Sequence, residues 1–129
     1  MILLRYPRHV YQAQTDRVVD ADTVDALPLP PSRYRLLGFD AEELRGGTER
    51  TKALAIEQTT WVSEWLARHE DLIIDDRGPD PFGRRLAWIY DQHTAECLNF
   101  EFVRRWPKTA TNPRYQAARI LGGNPEDMR

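Results

Sequence analysis

The chain has 129 residues, and since an average domain takes roughly 100 to 200 residues, a single domain over 1–129 is expected. Its 18 Lys and Arg against 20 Asp and Glu give a net charge of −2, which excludes a global positive field able to capture nucleic acid indiscriminately. A single cysteine, Cys97, excludes an internal disulfide framework and any multi-cysteine metal centre, and it suits a reducing compartment.

In chain order, Met1-Ile2-Leu3-Leu4 is too short an apolar run for a signal peptide or a membrane span. The expectation is a cytoplasmic protein with no membrane contact, with secretion open if a leader has been removed, and with frayed ends at 1–8 and 123–129. Residues 9–15 and 18–27 alternate and are β-branched, which predicts two strands with a tight polar connection between them. Leu29-Pro30-Pro31-Ser32 must turn, because proline lacks the amide a central strand needs. Tyr34–Phe39 follows as a third strand.

Thr48 stands as an N-cap for a long helix, free of Gly and Pro, that ends near His69. Leu54, Trp61 and Trp65 form one row on it and Ala55, Val62 and Leu66 the next, a broad apolar face meant for a sheet. Leu72-Ile73-Ile74 predicts a fourth strand before an acidic loop, 75–80, and Leu86–Tyr90 a fifth. A turn over 91–96, a short helix over 98–105 and a last fragment from Asn112 to Gly122-Gly123 complete the chain. Three strands, a helix and two strands is the order of an α+β β-barrel, the five-stranded OB-fold, with one or two short C-terminal helices, other Greek-key barrels being the alternative.

Acids and arginines gather at predicted strand ends: Asp20, Asp22, Arg35, Asp40, Glu43 and Arg84. Asp20 and Asp22 share a face if that stretch is extended, and carboxylates brought together from separate strands suit a hard cation. With Arg35 five residues before Asp40 and Glu43 three after it, one loop offers a metal ligand, a phosphate clamp and a base.

The blocks Val18-Val19-Asp20-Ala21-Asp22-Thr23-Val24, Tyr34-Arg35-Leu36-Leu37-Gly38-Phe39-Asp40-Ala41-Glu42-Glu43 and Asp80-Pro81-Phe82-Gly83-Arg84-Arg85-Leu86-Ala87-Trp88-Ile89-Tyr90 resemble, in order and spacing, the signature of the thermonuclease (staphylococcal nuclease-like) family. Leu98–Arg104 is similar to the block that follows them. The resemblance implies a calcium-dependent phosphodiesterase on an OB barrel that hydrolyses DNA or RNA to 3′-phosphate products, with magnesium open as the ion. It implies Asp22, Asp40 and the main-chain carbonyl of Ala41 as metal ligands and Asp20 as a supporting acid. It implies Glu43 as the residue that activates water and Arg35 and Arg84 as the arginines that hold the phosphate. Phe82 falls among the substrate-binding positions, where well-studied members carry a phosphate-bonding tyrosine. Ala21 replaces a usual glycine and Glu42 a usual proline, which should loosen the loop that aims Glu43 and add a negative charge.

The expected partner is single-stranded or locally unpaired DNA or RNA, and the expected state a monomer. The alternative is a catalytically weak or silent OB-fold module that binds single-stranded nucleic acid or a protein partner. His9, His69 and His93 lie on different elements without ligand spacing and read as surface residues. Arg104-Arg105-Trp106-Pro107-Lys108 reads as a helix end with Trp106 in the core, against a strand-gripping patch. Cys97 reads as a small buried hydrophobe.

Overall fold

The computed structural model describes residues 10–27 and 32–111. The expected frayed ends, the fragment from Asn112 to Gly123, and Leu29-Pro30-Pro31 of the expected turn lie outside the described residues. Five strands, β1 (Val10–Asp20), β2 (Thr23–Leu27), β3 (Ser32–Leu36), β4 (Leu72–Pro79) and β5 (Arg85–Asp91), form a closed barrel in the order β1-β2-β3-β5-β4. All neighbours are antiparallel except β3 and β5, which run parallel over Tyr34–Leu36 and Arg85–Ala87. Helix α1 (Glu49–Arg68) joins β3 to β4, and α2 (Leu98–Arg105) with a 3₁₀ turn, Pro107–Thr109, follows β5. This is the OB-like barrel with its helix between strands 3 and 4.

Alternation sets the barrel: Tyr34 and Leu36 are buried while Arg33 and Arg35 face outward, as a period of two requires. Helix α1 starts at a capping box, in which the Thr48 hydroxyl accepts the amide of Thr51 and the Thr51 hydroxyl accepts that of Thr48. It buries Ala55, Gln58, Val62, Trp65 and Leu66, and Trp61 packs partly buried against Phe102 and Trp106. Trp106 is partly buried against the core, so the Arg104–Lys108 stretch does end a helix on a packed aromatic. Among the described residues, no helix is long and apolar enough to cross a membrane.

Three boundaries differ from expectation, the first being the third strand, which covers Ser32–Leu36 rather than Tyr34–Phe39 and gives way to a turn at Leu37-Gly38. The first hairpin turns at Ala21-Asp22, not around Asp16-Arg17, which lie within β1 where the β1–β2 register slips between Thr15 and Arg17. The acidic stretch expected as a loop is strand as far as Pro79, because its acids find partners. Asp76 receives the Gly78 amide, the Tyr11 hydroxyl and Arg85, and Asp75 receives Arg77. His69 is mostly buried rather than on the surface, stacked on Trp65 at 3.9 Å and bonded to Asp91 at 2.6 Å. Cys97 is buried as expected, and burial pushes its thiol up to about 12.

Candidate active site

Beyond β3, Leu37-Gly38 makes a turn with Gly38 at φ 95°, a left-handed conformation that glycine adopts without strain. Phe39 then drops into the core against Phe102, ring centroids 4.1 Å apart, and the chain emerges as an irregular loop. That loop is tied through its backbone. The amides of Asp40, Ala41, Glu42 and Leu44 donate, in turn, to the Thr109 carbonyl at 3.0 Å, Asp22 Oδ2 at 3.0 Å, Gln58 Oε1 at 2.8 Å and Asp20 Oδ1 at 3.2 Å. Asp20 and Asp22 do not share a face of one extended strand, since Ala21-Asp22 is the turn, yet both reach the same loop from the β1–β2 hairpin. Glu43 stands exposed on this anchored segment.

Arg35 faces outward from β3 and binds the loop acid Asp40, with Asp22 Oδ2 at 3.6 Å from its other terminal nitrogen. Asp22 also accepts the Thr23 hydroxyl at 3.1 Å. One guanidinium thus lies between two carboxylates from separate elements, and Asp40 remains 71% exposed. Among the described residues, no group of three His, Cys, Asp or Glu side chains is gathered to hold a metal. Two carboxylates and the Ala41 carbonyl are nevertheless the oxygen donors a hard cation takes. The set fits such an ion in kind, with Arg35 supplying the positive charge in this arrangement.

Next to this cluster lies an open groove of about 740 Å³ lined by Asp16, Asp25, Arg33, Phe82, Gly83 and Arg84. The β2–β3 register brings Thr23 opposite Arg35 and Asp25 opposite Arg33, so the groove begins one outward position along β3 from Arg35. Arg33 is bound in a fork to Asp25 through two nitrogens. Phe82 is 81% exposed, its ring 5.9 Å from the Arg84 guanidinium carbon. Asp80 shapes the turn by accepting the amides of Phe82 and Arg84 and the Nε of Arg84 at 2.7 Å. Burial raises the Asp80 carboxyl, but these bonds outweigh it and hold the group below its ordinary range.

Asp20, Asp22, Arg35, Asp40 and Ala41 are therefore brought together, while Phe82 and Arg84 belong to the adjoining groove. Where a proline would have no amide to give, that of Glu42 is bonded to Gln58 on α1, a tether that opposes the loosening expected of this residue. Sequence reasoning also passed over Arg33, Asp25, Asp80 and Gln58, whose roles depend on cross-strand register and on helix-to-loop contact. No family model and no curated protein matches this chain.

Proposed function

We propose that the chain is a metal-dependent nuclease, a phosphodiesterase that hydrolyses single-stranded or locally unpaired DNA or RNA to 3′-phosphate products. The observation that carries this reading is the meeting of Asp20 and Asp22 from the β1–β2 hairpin, Arg35 from β3 and Asp40 at one backbone-anchored loop, one outward position along β3 from a groove that holds Arg84 and an exposed aromatic. Asp22, Asp40 and the Ala41 carbonyl would hold calcium, with magnesium open, and the bound ion would supply positive charge to the phosphate being attacked. Arg35 and Arg84 hold its non-bridging oxygens, where a planar fork matches two oxygens at once. Glu43 takes a proton from the attacking water as the new O–P bond forms. The P–O5′ bond breaks, phosphate stays on the 3′ oxygen, and the departing oxygen takes up a proton. Phe82 offers an exposed ring on which an unpaired base can stack.

A second reading is favoured by one feature, the engagement of Arg35 by both acids, which occupies the guanidinium that a phosphate would need. On it the barrel binds single strands or a protein partner without cutting. Cleavage of a labelled single-stranded DNA with calcium, with magnesium and with chelator separates the two. Cutting that needs the ion and falls about 10²-fold or more in Glu43→Gln and in Arg35→Ala is expected. Salt-sensitive binding by a folded protein that leaves the strand whole in every ion would assign the second reading.

A further inference from the structure

We propose that Gln58, on the buried face of α1, is a positioning residue that fixes where the Glu43 carboxylate stands, an inference that rests on the cleaving role given above. Gln58 is fully buried, its Oε1 accepts the Glu42 amide at 2.8 Å, and its Nε2 is buried without a hydrogen-bond partner among the described residues. Keeping a glutamine here costs the core a desolvated NH₂ group, and what it secures in return is a partner for the Glu42 amide. What the amide does is hold the loop. Of the four anchored amides, Asp40 and Ala41 precede Glu42 and Leu44 follows Glu43, so the bond to Gln58 holds the residue that directly precedes Glu43. It is also the one of the four made to α1, a capped 20-residue helix packed against β1 and α2. The Glu43 side chain is exposed, so this backbone sets the point from which its carboxylate reaches. A shift of about 1 Å in a group acting on the attacking water is enough to cost on the order of 10²-fold in rate.

Gln58→Met keeps the volume and removes the acceptor. Measured on labelled single-stranded DNA with calcium, it should lower kcat about tenfold with KM within about twofold, and the Glu42 amide should exchange with solvent at least about tenfold faster. In a Glu42→Pro background the donor is absent, and there Gln58→Met should leave kcat unchanged. Gln58→Asn, which keeps an amide but withdraws it by one methylene, should resemble Gln58→Met and serves if that variant fails to fold. Either Gln58 variant, folded and with kcat and Glu42 exchange unaltered, overturns the proposal, as does an equal loss of kcat with and without the Glu42 amide. If the unmodified protein cuts nothing, the cleaving role fails, and unaltered exchange at Glu42 in Gln58→Met then overturns the tether by itself.

Discussion

Under the proposed cleaving role, Arg84 is a side chain prepared for one kind of ligand. Asp80 takes its Nε and its amide, which closes the Gly83 turn and, among the described residues, leaves the two terminal NH₂ groups of the guanidinium for another partner. A lysine would put its single ammonium on Asp80 and have no fork left over. Arg84→Lys is therefore expected to fold normally and to lose at least about tenfold in turnover in the calcium assay, whereas near-normal turnover would refute a forked phosphate contact. At this scale Arg84, Arg35 and the acids could be singled out from residue type and block order alone. Asp80 could not, because it reads as one more acid of a polar loop until its three bonds are seen. Nor could Gln58, whose place on the apolar face of α1 shows only that a polar residue is buried there. His69 was missed for the opposite reason: its partners Trp65 and Asp91 come from two elements, and a lone histidine is intermediate in burial, so residue type does not place it.

Elements with their own punctuation were the most legible. Thr48 and the row spacing fix α1, and the short helix 98–105 appears with the limits expected. The β1–β2 turn escaped because Ala21-Asp22 offers a single aspartate inside a β-branched run and no glycine, asparagine or proline, and that aspartate bonds the Thr23 hydroxyl and the Ala41 amide. Asp16 and Arg17, exposed in mid-strand, imitated a turn. Helix α2 has a further task that no local pattern announces. Asn99 is fully buried, accepts the Ile89 amide at 3.0 Å, and donates to the carbonyls of Leu37 at 2.8 Å and Ala87 at 3.0 Å. It joins β5 to the chain leaving β3, where the parallel β3–β5 ladder ends at Leu36 and Ala87. Asn99→Leu has nearly the right volume but takes the partner from the Ile89 amide and the Leu37 carbonyl, each of which costs about 1–3 kcal/mol when unsatisfied, while the Ala87 carbonyl keeps the Leu37 amide. Urea denaturation should show a loss of about 3 kcal/mol or more. A loss under about 1 kcal/mol would mean that α2 is held by packing alone.

For the whole molecule, the return of β4 alongside β1 closes the barrel over Val10–Ala13 and Leu72–Asp75, and a polar clip near the start of β4 ties that closure to the end of α1 and to the turn that precedes α2. Asp91, at the end of β5, accepts the amides of His93 and Thr94 and the ring of His69 from the C-cap of α1, while Glu96 lies 3.7 Å from the other nitrogen of that ring. Burial alone would raise the Asp91 carboxyl, but the Thr94 amide, His69 and the His93 amide together bring it down to about 2. A carboxyl that ionises more easily folded than unfolded stabilises the fold above its ordinary value of 3.8, and that contribution disappears as pH falls toward 2. His93 works in the other direction. Its hydrogen bond to Asp71 raises it above 6.5, so its smaller, exposed contribution is complete below that pH and fades on the alkaline side. The fold should therefore be most resistant to heat between these limits. Asp91→Asn keeps one acceptor oxygen for the turn amides and cannot ionise, so its Tm against pH should fall less steeply between about pH 4 and pH 2 than that of the unmodified protein. The difference should be on the order of 1 kcal/mol, or a few degrees. Parallel curves in that window would show that the acid limb belongs to other carboxylates, with Asp76, held low by Arg85 and the Gly78 amide against its burial, the next to replace.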